Sequence, residues 1–249
     1  MDYNIELHKQ LIREEAKQNQ EVVYNKWINH VPQSSALVNN GRAFPYELLN
    51  TDCSMLLLAY LQYKSNWNQD EPLFRYCFRE YYKLSSLLEM LRGKDSKLSN
   101  KTNIGKKLKQ LLDTKYVEEQ HNGLRLNNPY FLEESFITVN QDTLLELIMF
   151  RDELLLKVYL FYSWCAYRLE TKPFENKDDM EKLGFFKCFD ETLCNNINIS
   201  FQSNNKRKLK TIRDKLQTHG FIIYDPSKKA IDYNTGTFKT TNYIKLLKF

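Results

Sequence analysis

Apolar residues gather along the chain in two distinct patterns. In the runs Ser54 to Tyr63 and Asp152 to Arg168, Leu and Tyr crowd together with few polar positions between them. Such runs predict helices buried on most sides. Two later segments are amphipathic instead. Ile104, Leu108, Leu111 and Leu112 fall at i, i+4, i+7 and i+8, one apolar stripe, with Thr102, Asn103, Lys106, Lys109 and Gln110 on the opposite face. Leu209, Ile212 and Leu216 form the second stripe, and Asn204, Arg207, Lys208, Lys210 and Thr211 face away from it. Ser99 and Ser203 stand where N-caps would start these helices.

A hairpin is predicted after each amphipathic helix. Tyr116 to His121 leads through Asn122-Gly123 into Leu124-Arg125-Leu126, and Asn-Gly between short strands predicts a type I′ turn. Gly220 ends the second helix in a left-handed conformation. Phe221 to Tyr224 and Ala230 to Tyr233 then flank a turn at Asp225 to Lys229. Upstream, Tyr3 to Trp27 predicts an additional helix, with Leu7, Leu11, Ile12, Val22, Val23 and Trp27 as apolar contacts.

These elements occur twice. Asn103 to Asp113 aligns with Asn204 to Asp214 at an offset of 101, with five of eleven positions identical. Ala59-Tyr60-Leu61-Gln62-Tyr63 aligns with Val158-Tyr159-Leu160-Phe161-Tyr162 at an offset of 99. Two matches in the same order at nearly one separation point to internal duplication. The expected division is an N-terminal extension over 1–41, a first module over 42–135 and a second over 136–249. Helix, basic helix and two-stranded hairpin is the order of a winged helix. The expected fold is therefore mainly α, of the α+β winged-helix kind: two tandem winged helix-turn-helix modules plus an N-terminal helix.

Composition changes this picture little. Seven Gly and six Pro against 16 Tyr and 15 Phe leave few turn residues for a sandwich or barrel. The opening Met1-Asp2-Tyr3-Asn4 is polar, so no secretory signal is expected, and Lys157 and Arg168 interrupt the best membrane candidate. The five cysteines, without a Cys-x-x-Cys pair, fit a reducing cytoplasm, and four scattered histidines give no zinc spacing.

Charge is more informative in its distribution than in its total of +5. Arg92 to Lys115 holds eight basic and two acidic residues, and Lys206 to Lys215 six and one. Glu118 to Glu181, by contrast, holds thirteen acidic and six basic residues. Two basic islands in such a chain are the footprint expected for a polyanion partner.

The tandem arrangement resembles replication initiators and replisome organisers of Gram-positive plasmids and phages. Phe44-Pro45-Tyr46-Glu47-Leu48-Leu49 ahead of a Leu-rich helix, the Asn204-Asn205-Lys206-Arg207 start and the Gly220-Phe221-Ile222 exit carry the resemblance. It covers residues 42 to 245 and implies sequence-specific binding of double-stranded DNA. Asn103 and Asn204 suit adenine, and Arg207 suits guanine. Lys106, Lys107, Lys109, Lys208 and Lys210 suit phosphates. Thr102, Gln110, Asn205, Lys206 and Thr211 complete the two faces, while Arg125 and the tip residues Lys228 and Lys229 would reach the backbone or minor groove.

No Gly-x-x-x-x-Gly-Lys loop, nucleophile elbow, His-Glu-x-x-His or His-x-His pair occurs, so neither catalysis nor a cofactor is expected. Replication or transcription proteins are the expected protein partners, no membrane is, and the N-terminal helix is a candidate for homodimerisation. Two alternatives stay open: a transcriptional regulator of a mobile element, and an adaptor or inhibitor that binds protein rather than DNA.

Overall fold

Strand β1 (Gly41–Pro45) leads through a 3-10 turn (Tyr46–Asn50) into helix α1 (Met55–Lys64). Ser54 starts that helix by accepting a hydrogen bond from the Leu57 N–H, one of the donors that a helix start leaves open. Met55 through Gln62 are all buried, as a helix apolar on every side requires. There follow β2 (Asn66–Trp67), β3 (Phe74–Phe78), α2 (Leu84–Leu91), the basic helix α3 (Lys101–Leu112), β4 (Val117–Gln120) and β5 (Gly123–Asn127). The last four strands form one antiparallel sheet in the order β2-β3-β5-β4. The computed structural model describes residues 41–67, 74–92, 98–127, 135–232 and 237–248. The expected helix over Tyr3 to Trp27, and with it the dimerisation it would support, lies outside them.

Strand β6 (Phe136–Asn140) returns to pair with β1, Gly41 opposite Asn140 and Pro45 opposite Phe136. Helices α4 (Gln141–Met149), α5 (Glu153–Thr171) and α6 (Asp179–Lys182) come next, then β7 (Phe186–Cys188) and α7 (Asp190–Asn196). The second basic helix, α8 (Ser203–Thr218), leads into β8 (Ile222–Asp232) and β9 (Thr237–Leu246). These strands form a sheet in the order β7-β9-β8. In both halves a strand, a short helix, a basic helix and a hairpin succeed one another. In both, the second hairpin strand lies between the first and the earlier strand.

Helices predominate, but the expectation of two tandem winged helix-turn-helix modules is corrected. The fold is α+β, with three small antiparallel sheets, and one apolar core runs through both halves from Phe44 and Leu57 to Leu160 and Phe221. The strands β1, β3, β6 and β7 carry the difference. Each has three to five residues, too few for a period-2 pattern to stand out beside helical neighbours.

Both hairpins form, yet with other turns than expected. Gln120 pairs with Gly123, so the first turn is His121-Asn122, and neither has a positive φ. Gly123 is a strand residue, and the position takes glycine because a Cβ there would stand 2.4 Å from the Cys77 carbonyl oxygen. In the second hairpin β8 runs on past Asp225–Lys229 with a register shift between Asp225 and Lys228. The connection falls within residues 233–236, outside those described. Gly220 does take the left-handed conformation, at φ +71°.

Helix α8 is locked by a buried cation. Arg213, 1% exposed, donates from Nε to the Tyr162 hydroxyl of α5 at 2.7 Å and from its NH2 to Asp190 of α7. Asn242 of β9 donates to the same Asp190 carboxylate at 2.9 Å. Burial opposes the charge on Arg213, but the facing Tyr162 and Asp190 outweigh it and hold its pKa above the ordinary arginine value. Burial likewise pushes Tyr162 well above the usual phenol range, so it stays a neutral hydroxyl. Removing one member of such a pair leaves the other uncompensated. Arg213→Ala is expected to cost about 3 kcal/mol of stability, read as a lower urea midpoint, while Lys210→Ala on the exposed face leaves the midpoint unchanged.

Candidate nucleic-acid interface

Asn100, not Ser99, caps the first basic helix: its side chain accepts from the Asn103 N–H at 2.9 Å. Helix α3 buries Ile104 and Leu111 and half-buries Leu108 and Leu112, which turns Thr102, Lys106, Lys109 and Gln110 outward. Helix α8 has Gln202 at its N-cap, without a side-chain cap, and Ser203 as its first helical residue. It buries Leu209, Ile212, Arg213 and Leu216, leaving Asn204, Lys206, Arg207, Lys208, Lys210 and Thr211 exposed. The stripe read from the sequence therefore faces the core in each helix, with Arg213 as an addition to the second.

The two helices border one groove of about 610 Å³. Lys107 enters it from α3, and Asn205, Arg207, Lys208 and Thr211 enter it from α8. Its floor is built from Thr51 to Ser54, from the first turn of α5, and from the Ile197–Ile199 link ahead of α8. Asn198 in that link adopts φ +58°, a left-handed conformation that Asn tolerates and that breaks α7 from α8.

The charges in this groove are unequally committed. Asp152 accepts from the Leu155 N–H at 3.0 Å and caps its own helix, α5. Glu153 accepts from the Ser54 hydroxyl at 2.7 Å and from the backbone N–H groups of Met55 at 2.6 Å and Leu56 at 3.1 Å. These two floor carboxylates are thus taken up by helix N-termini, whose positive dipole ends favour them. Lys107 donates to the Asp52 carbonyl. Lys106, Lys109, Arg207, Lys208 and Lys210 make no ion pair or side-chain hydrogen bond among the described residues. Of these, Arg207 and Lys208 line the groove, beside Lys107 and Asp52, whereas Lys106, Lys109 and Lys210 stand outside its lining on the exposed faces of α3 and α8.

Several expected contact residues are otherwise engaged. Asn205 donates to the Ser200 carbonyl at 2.7 Å, Thr211 bonds back to the Arg207 carbonyl at 3.2 Å, and Lys206 lies 4.1 Å over the Phe201 ring. Asn103 is half-buried. Arg125 sits in β5, an inner strand of its sheet, opposite Glu118 and 3.8 Å from its carboxylate, rather than at a hairpin tip. Lys228 and Lys229 are also away from a tip: they belong to β8 and pair with Thr241 and Thr240.

Comparison with family models, with curated proteins and with solved structures found no match to this chain. The site is therefore read from its own geometry.

That geometry brings in residues the sequence reading left out. Glu153 and Lys157, one helical turn apart on α5, both reach into the first half. Lys157, 7% exposed, donates to the Leu49 carbonyl at 2.9 Å and the Thr51 carbonyl at 2.8 Å. The one available signal was a lysine inside an otherwise apolar helix, since a buried ammonium must find acceptors. Among the described residues no group of His, Cys, Asp and Glu is arranged to hold a metal ion, and no helix is long and apolar enough to cross a membrane.

Burial pushes the Cys77 and Cys188 thiols up to about 12. Both are then protonated at pH 8 and poor nucleophiles. Iodoacetamide at that pH is expected to leave Cys77 and Cys188 unmodified in the folded protein while the half-exposed Cys53 reacts, as mapped by peptide mass spectrometry. Equal labelling of Cys77 and Cys53 would contradict this assignment.

Proposed function

We propose that the chain binds double-stranded DNA through α3 and α8, acting as a binding protein rather than a catalyst. The observation that carries the reading is the pair of basic helices on one groove, whose exposed Lys106, Lys109, Arg207, Lys208 and Lys210 lack ion-pair partners among the described residues. Exposed cations in series neutralise phosphates and release counterions. Arg207 carries the fork geometry suited to guanine, and Asn204, exposed in the first turn of α8, that suited to adenine. Lys107 is held by Asp52 and contributes less.

Within DNA binding, the reading extends to replication initiation at a plasmid or phage replicon. It draws on the resemblance over Phe44–Leu49, Asn204–Arg207 and Gly220–Ile222. The repeated order of elements in the two halves supports descent by duplication. Five free cysteines fit a cytoplasmic location.

The test is a salt titration of binding to random-sequence duplex DNA. Affinity is expected to fall steeply with salt. Lys106→Ala/Lys109→Ala and Arg207→Ala/Lys210→Ala are each expected to flatten the log–log slope by about one to two units. Absence of binding at low salt would overturn the proposal and leave the groove to a protein partner.

A further inference from the structure

Residues 46–56 of the first half are gripped along their length by the second. The Tyr46 hydroxyl donates to Asn196 Oδ1 at 2.6 Å, and its ring lies 4.6 Å from that of Trp164. Lys157 holds the carbonyls of Leu49 and Thr51, and Glu153 holds Ser54, Met55 and Leu56. Asn198 donates to Asp52 Oδ1 at 3.3 Å. The same segment anchors α3, since the Asp52 carbonyl accepts from Lys107 and the Cys53 thiol lies 3.7 Å from the Gln110 carbonyl. On its other side, Asn198 stands in the link that starts α8.

A hydrogen-bonded path from one basic helix to the other therefore runs through Asp52 and Asn198, and the first two turns of α5 hold the segment on which Asp52 stands. The β1–β6 ladder also joins the halves, while apolar contact at the segment itself is non-directional and would tolerate sliding. Hydrogen bonds from a buried ammonium and to a carboxylate at a helix start do not, because their distances and angles are narrow. Lys157 and Glu153 supply five such bonds across the junction.

We infer that Glu153 and Lys157 are positioning residues that fix the separation of α3 and α8, so that the protein selects DNA by the spacing between two half-sites. This rests on the DNA-binding reading. Neither residue touches DNA in it, and neither alters which bases the helices meet. Loosening the junction leaves each helix able to bind its own half-site but removes the penalty for a wrong interval.

The experiment uses the full chain as wild type, Glu153→Gln and Lys157→Met, with folding checked by circular dichroism. Wild type first selects sites from a library of random 40-base-pair duplexes. The recovered site is then measured with base pairs inserted between its two footprinted segments, beside duplexes carrying one segment alone. A five-base-pair insertion, about half a helical turn, is expected to weaken wild-type binding about tenfold or more, with recovery near a full turn. Both variants are expected to reduce that penalty to under about threefold while keeping single-segment affinity within about twofold.

If the folded variants retain the wild-type spacing profile, or wild type has no spacing preference, the inference is overturned and DNA binding stands. If one variant does not fold, the other decides by the same profile; if neither folds, the pair is structural and the inference is overturned. Wild type that binds neither library nor random duplex at low salt overturns both readings.

Discussion

A helix that begins inside a protein has backbone N–H groups with no water to meet them, and the rest of this structure depends on how α1 solves that problem. Ser54 satisfies the Leu57 N–H from within the helix's own half. The N–H groups of Met55 and Leu56 turn to Glu153, almost a hundred residues away in sequence. Without an acceptor, each such donor would cost about 1–3 kcal/mol. The two most deeply buried helices are thereby joined at their N-terminal ends, where the dipole of one is answered by the first residue of the other.

The groove between the basic helices follows from that junction. Its floor is where α1 and α5 begin, so Asp152 and Glu153 serve helix starts there rather than the cations of α3 and α8, while the Asp52 carboxylate accepts from Asn198. Arg213 shows the opposite assignment of charge. It belongs to the same basic run as Arg207 and Lys210 in sequence, but lies on the core side of α8 and is spent on Asp190 and Tyr162. The positive charge that faces solvent is accordingly less than the basic run implies.

Helical periodicity was the most legible part of the sequence. It located α3 and α8 and the outward direction of their cations, because the apolar spacing that buries one face also determines the other. The Leu/Tyr runs marked α1 and α5 for the same reason. Turn chemistry was less reliable. Asn122-Gly123 has the composition of a type I′ turn, but the close approach of the Cys77 carbonyl requires the glycine in the strand. The run Asp225–Lys229 has the composition of a turn, yet pairing with β9 carries the strand through it. The pairing of β1 with β6 and the roles of Glu153, Lys157 and Arg213 were not legible, since each depends on a partner distant in sequence. Local pattern specifies which face of an element is buried, and only the assembled fold specifies against what.

The irregularity in β8 has a consequence of its own. Among the described residues this strand is the outer one of its sheet, and it is 11 residues long. A long, regular border of that kind is a template on which another chain can add a strand. Here the ladder breaks between Asp225 and Lys228, and Pro226 within the break has no N–H to offer. What remains is two short stretches, Ile222–Asp225 and Lys228–Asp232, set out of register with one another. The bulge thus shortens the regular border that another chain could extend, at the cost of a less regular hairpin.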